Sequence, residues 1–235
     1  MTVASLVLAL ASPGRVWADD AIEQALAVEI DHLVDALTTQ QDDLPPRDQA
    51  YLSFLEAVYG HAPSARERAE ERYQRLVLPE SQAFLGSLDI LHARDLNRGG
   101  ALSGWLHVFT ERRLVAQGIE QLDAAVRTSP DNLDIRIVRA VTYLQLPSLF
   151  GVFQVGLEDM TLVLKWIRDG TVTVPKEERL FRDQASLYYY AGRYFLKTGQ
   201  TDTARAMFVQ ASQASTRSPF SHAADRRILS IRAAS

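Results

Sequence analysis

Residues 188–211 read YYYAGRYFLKTGQTDTARAMFVQA, and this stretch decides the fold. Tyr188, Ala191, Gly192 and Phe195 recur at steps of three and four, the spacing of one face of an α-helix. Gly199 marks a turn. Ala204, Phe208 and Ala211 then resume the same spacing, so two helices joined by a short connection are expected. A small residue followed by a large apolar one lets two helix backbones approach closely while the buried face continues.

The same order occurs earlier in the chain. Gly118, Leu122 and Ala125 follow it, and so do Gly156, Met160 and Val163. Three copies at irregular intervals point to a repeat built of helical hairpins. The last copy resembles the tetratricopeptide repeat, a two-helix unit. Tyr188, Gly192 and Phe195 look like the aromatic–small–aromatic positions of that family's first helix. Gly199 looks like its turn glycine, and Ala204, Phe208 and Ala211 look like the positions of its second helix. Pro130 follows the Gly118 copy at the family's distance, whereas Thr216 stands where the last copy should have a proline. The connection Pro147–Gly151 is too long for a standard unit. The resemblance is clear over about residues 105–215 and weaker over 21–100.

The resemblance implies an all-α fold of antiparallel hairpins stacked as a right-handed solenoid, with the first helix of each unit lining a concave face. Tyr189, Arg193 and Lys197 would be an exposed stripe of the last unit on that face. Arg136, Arg139 and Tyr143 form a matching stripe by spacing, opposite the apolar face of Ile137, Val141 and Leu144. Together these six residues are the candidate partner-binding groove, with aromatic faces and guanidinium groups suited to peptide carboxylates. The competing readings are plain solvated helix faces, or an arginine pinned by an Asp or Glu inside the fold.

Helical periodicity extends to the rest of the chain. Ile22, Leu26, Ile30, Leu33 and Leu37 make one apolar stripe, ended by Pro45-Pro46. A helix from Arg47 to Gly60 should turn Tyr51, Phe54, Leu55 and Val58 inward. Ser64 and Glu67 have the spacing of a capping box, opening a charged helix expected to be solvent-exposed. Further helices are expected through Phe84–Leu91 and over 104–116, 118–128, 131–145, 152–168, 177–197, 201–214 and 220–233, with a short extended piece at 171–174 and a turn at Asn97–Gly100. Trp105 and Trp166 read as core. No biased linker divides the chain, so residues 19–235 read as one domain, divergent over 19–104 and repeat-like over 105–235.

Composition narrows the function. The 235-residue chain has no cysteine, which removes thiolate chemistry and disulfide scaffolding. Its formal charge of −4 argues against a general nucleic-acid binder. Residues 1–18 read as a signal peptide. Val3–Ala11 is apolar but too short to span a bilayer, Pro13-Gly14 breaks it, and cleavage is expected after Ala18. No Lys or Arg precedes the apolar run, which departs from that pattern. No apolar run is long enough for a membrane span.

His92 and Asp95, and His107 and Glu111, have helical spacing for metal ligands, but two ligands do not make a site. His32, His61 and His222 stand alone. No nucleophile elbow, phosphate loop or dinucleotide fingerprint occurs, and Gly99-Gly100 follows a helix rather than a strand. No catalytic residue, metal or cofactor is therefore expected. The reading that follows is an exported, periplasmic helical-repeat adaptor that binds a protein or peptide on its concave face. The alternative is a periplasmic helical small-ligand carrier or enzyme with an unrecognised pocket, for which the Tyr188-Tyr189-Tyr190 run and the histidines speak. A third is a structural subunit whose first helix packs on a partner.

Overall fold

The computed structural model of the chain describes residues 21–60, 63–98, 104–178 and 180–234. They form ten α-helices: α1 (Ala21–Thr38), α2 (Pro46–Tyr59), α3 (Pro63–Arg75), α4 (Ser81–Arg98), α5 (Gly104–Thr128), α6 (Leu133–Gln145), α7 (Phe153–Arg168), α8 (Gln184–Lys197), α9 (Thr201–Ala214) and α10 (Pro219–Ala234). Short 3-10 turns occupy Gln41–Asp43 and Ser148–Phe150. Among the described residues there is no strand, and 171–174 is a loop. The expected leader at 1–18, with His61, Gly99 and Gly100, lies outside the described residues, as do the side chains of Trp105 and His107.

Local chemistry sets most boundaries. Pro46 occupies the first turn of α2, where its missing N–H costs nothing. Asn132 caps α6 by accepting from the Ile135 amide at 3.1 Å, and Asp183 caps α8 by accepting from the Ser186 amide at 3.0 Å. Gly199, at φ 76°, makes the left-handed turn between α8 and α9 that glycine adopts without steric cost.

Three expectations are corrected. The predicted helices 104–116 and 118–128 are one helix, α5, because Gly118 faces a neighbouring helix instead of ending its own. α3 starts at Pro63, so Ser64 lies inside it and accepts from Arg68 Nη1 at 2.6 Å instead of capping. The helix expected over 177–197 starts at Gln184. The Glu178 carboxylate accepts from the amides of Leu180 and Arg182, holding that stretch in a turn of its own.

Consecutive helices pack as hairpins, α2 on α3, α4 on α5, α6 on α7 and α8 on α9. The first helices of successive hairpins also touch, α2 to α4, α4 to α6 and α6 to α8. α10 follows against α8 and α9. α1 then packs on both α2 and α10, so the first helix of the described chain lies against the last. It buries Leu26, Ile30 and Val34 on its own chain rather than on a partner, while Leu33 of the same predicted stripe stays exposed. The charged helix α3 is not simply solvated. Ala65, Ala69 and Tyr73 are buried, Arg72 donates to Gln49 O and Ser53 Oγ, and Arg68 donates to Glu56 across to α2.

Small residues sit where helices come closest. A Cβ on Gly118 would lie 2.4 Å from the carbonyl oxygen of Gly86, and one on Gly86 would lie 2.7 Å from that of Gly118. Backbone therefore meets backbone at the α4–α5 crossing. A Cβ on Gly192 would meet the Phe208 ring at 2.6 Å, and one on Gly156 would meet Tyr194 Oη at 2.1 Å. Leu122, Ala125, Met160, Ala204, Phe208 and Ala211 are buried beside these crossings, and Tyr188 and Phe195 pack half-buried against the core around Phe208. Gly86 shows no signal of its own in the repeat spacing.

Candidate functional site

The six residues expected to form a groove are held by other parts of the chain. Asp159 on α7 is 1% exposed. It accepts from Arg136 Nη1 at 2.5 Å and from Arg139 Nε and Nη2 at 2.6 and 2.9 Å. Asp123 on α5 accepts from Arg139 Nη1 and from the Tyr143 hydroxyl, both at 2.8 Å. Burial and the Asp123 carboxylate push the Tyr143 hydroxyl pKa upward. This network ties α5, α6 and α7 together and leaves Tyr143 0% exposed.

Tyr189, Arg193 and Lys197 are likewise committed. The Tyr189 hydroxyl donates to Glu23 on α1. Arg193 and Arg227 approach the same carboxylate at 2.9 Å each. Tyr189 is fully buried, and burial followed by Glu23 pushes its pKa upward. Lys197 donates to the Leu144 carbonyl at 2.9 Å, and burial with the nearby Arg193 lowers its pKa. The expected exposed stripe is thus corrected. Tyr143 and Tyr189 are interior, and Arg136, Arg139 and Arg193 face carboxylates from other helices. The residues form two separate clusters, one around Asp159 and one around Glu23.

The inner side of the helix arrangement instead holds a cavity of about 640 Å³. α1, α2, α4, α6 and α8 all contribute to its wall, together with the loop before α8 and Phe220 of α10. The apolar wall includes Tyr51, Phe54, Val58, Ile137 and Val141. All five line this space and are only half-buried, although the Tyr51 and Phe54 rings also stack on each other. This volume falls in the range of small-molecule pockets.

The charged groups on the wall are already paired. Arg47 pairs with Glu80 at 2.6 Å and with Asp134. Arg182 pairs with Asp48 at 2.6 Å and lies 4.8 Å from the centre of the Tyr51 ring. Arg94 donates to the carbonyls of Val58 and Ala57 at 3.1 and 3.2 Å. Five carboxylate residues line the cavity, Glu23, Asp31, Asp134, Glu178 and Asp183, against the three arginines. Two hydroxyl pairs also lie on the wall, beside Gln24, Gln145, Thr173 and Ser186. Ser87 Oγ and Thr142 Oγ1 are 3.0 Å apart, and the Tyr59 and Tyr190 hydroxyls are 2.8 Å apart. Burial pushes both tyrosine pKa values up, so these hydroxyls stay protonated at neutral pH.

The periodicity already marks Tyr51, Phe54 and Val58 of α2, and Ile137 and Val141 of α6, as inward. Nothing in their spacing says that they face a void. Ser87, Thr142, Tyr59 and Arg94 carry no sequence signal that sets them apart. Among the described residues no group of three or more His, Asp or Glu side chains is placed to hold a metal, and no helix is long and apolar enough to cross a membrane. Compared with protein-family models, curated proteins and solved structures, the chain matches none of them.

Proposed function

We propose that this chain is a non-catalytic helical-repeat binding protein that encloses a small, mostly apolar ligand in the cavity between α1 and the inner helices. The observation that carries this reading is a wall on which Tyr51, Phe54, Val58, Ile137 and Val141 remain half-buried while its charged groups are engaged within the protein. Such a wall gains by covering apolar surface and offers no activated nucleophile. The tetratricopeptide-like solenoid is part of the same proposal. It is supported by the hairpin order, by the contacts between successive first helices and by small residues at the crossings. Export to the periplasm rests on the reading of residues 1–18, and N-terminal sequencing of the protein from the envelope fraction tests it.

Titration with N-phenyl-1-naphthylamine, a probe that brightens in apolar surroundings, tests the binding reading. Saturable one-to-one binding with a matching rise in melting temperature is expected. Absence of saturable binding would overturn it. Docking of a protein partner is the second reading. Val28 on α1 and Leu229 on α10 favour it, since both stand well exposed on two helices that pack together.

A further inference from the structure

The two hydroxyl pairs say more about the ligand than the apolar wall does. A hydroxyl carries one hydrogen, so a pair joined by a single hydrogen bond leaves one hydrogen unspent. Ser87, Thr142 and Tyr190 are each more than nine-tenths buried, and all four hydroxyl residues line the cavity. Among the described residues the four hydroxyl groups make these two mutual bonds and no other. Each pair, one joining α4 to α6 and the other α2 to α8, therefore keeps one O–H hydrogen that its partner does not take and that can be donated into the cavity.

The charges on the wall decide what kind of acceptor fits. Asp134 is held by Arg47, and Glu178 by the Leu180 and Arg182 amides. Asp183 is held by the Ser186 amide, and Glu23 by Tyr189 and Arg227. Asp31, the fifth wall carboxylate, is engaged as well, so a cation entering the cavity would have to compete with an existing partner. An anion would face a wall with more carboxylates than guanidinium groups, all three of the latter already engaged.

We propose, resting on the binding reading above, that the cavity selects an uncharged apolar molecule bearing carbonyl or ether oxygens, which accept from the Ser87–Thr142 and Tyr59–Tyr190 hydroxyl pairs. The ligand displaces no internal ion pair, and its oxygens take the two unspent hydrogens. Specificity then comes from neutral hydrogen bonds set in an apolar wall, where a wrong partner leaves a donor buried and unpaired.

The test uses the full chain and four probes of one length, 2-octanone, octane, octanoate and octylamine, each displacing N-phenyl-1-naphthylamine. Two double variants accompany the wild type, Tyr59→Phe with Tyr190→Phe, and Ser87→Ala with Thr142→Val. Each removes both partners of a pair, so no donor is left orphaned and the fold should hold; melting curves check this. The wild type should bind the ketone at least about tenfold tighter than the carboxylate or the amine. At least one double variant should lose about tenfold in ketone affinity while octane affinity stays constant or rises. Ketone affinity unchanged in both variants, with octane and the dye still bound, would overturn this inference and leave the binding reading standing. The same holds if octanoate or octylamine binds tightest. No saturable displacement by any probe, and no dye binding, would overturn both.

Discussion

The two charge clusters, one around Asp159 and one around Glu23, each combine carboxylate, arginine and tyrosine but are assembled differently. At Asp159, two carboxylates meet two guanidinium groups, and Arg139 is gripped from both sides by Asp159 and Asp123. The cluster joins α5, α6 and α7, which are adjacent in the chain. At Glu23, one carboxylate meets two guanidinium groups and a tyrosine, and Arg193 Nη1 is close enough for an ion pair without making a hydrogen bond. This cluster joins α1 to α8 and α10, from opposite ends of the described chain. The first is balanced and local. In the second, two guanidinium groups share the Glu23 carboxylate at the closure where α1 completes the cavity wall. Buried ion pairs seldom add net stability, but losing one partner is costly, so the two clusters should respond differently to the same injury.

The largest effect is expected at Asp159. Asp159→Asn leaves Arg136 and Arg139 facing a neutral amide, and the three helices cannot separate without unfolding the middle of the chain. A loss of about 3–5 kcal/mol is expected, read as a shift of the whole urea transition. Glu23→Gln should cost less globally, about 1–2 kcal/mol. α1 can lift away and let Arg193 and Arg227 reach water, so the loss is capped by the docking energy of one helix. Its signature is local: hydrogen exchange speeds up in α1 and not in α5–α7. Uniform acceleration across the chain would erase the distinction drawn here.

Crossing geometry gives a third contrast. Gly118→Ala places a methyl against a backbone oxygen that no side-chain movement can relieve. About 2 kcal/mol is expected from overpacking, outweighing the gain in helix propensity. Gly199→Ala meets open space but a positive φ, and about 1 kcal/mol is expected. Thermal unfolding of the two variants ranks them.

The smallest effect is in the alkaline range. Tyr143 and Tyr189 have pKa values raised in the folded state, chiefly by burial. Above pH 10 the unfolded chain releases protons that the folded chain keeps, so stability present below pH 10 is lost as pH rises. Lys197, lowered by burial, acts in the opposite sense, because its charging penalty fades as pH rises toward its ordinary value of 10.5. Tyr143→Phe and Tyr189→Phe should each make the fall above pH 10 shallower, measured as urea stability against pH.

Much of the fold is legible in the sequence because helical periodicity is a short-range signal. The stripe from Ile22 to Leu37, the inward faces of α2 and α6 and the Gly199 turn all follow from neighbours within one or two turns. The small residues Gly118, Gly156 and Gly192 are legible for the same reason, whereas Gly86 belongs to none of the repeated small–large spacings and shows itself only where it meets Gly118. The candidate groove fails at this limit. Arg139 and Tyr143 look like a free stripe until Asp123 is placed 20 residues from Tyr143 by the α5–α6 hairpin. Tyr189 looks exposed until Glu23, 166 residues away, is brought against it. The cavity is hidden in the same way. Ile137 and Val141 have the pattern of core residues, and only the arrangement of five helices shows that they border a space.

The account depends most on that space being the place where a ligand sits. Val141→Trp puts an indole into it from α6 without touching either charge cluster. N-phenyl-1-naphthylamine binding should fall by at least about tenfold, with the melting temperature unchanged or raised. Undiminished dye binding in a folded Val141→Trp protein would contradict the account.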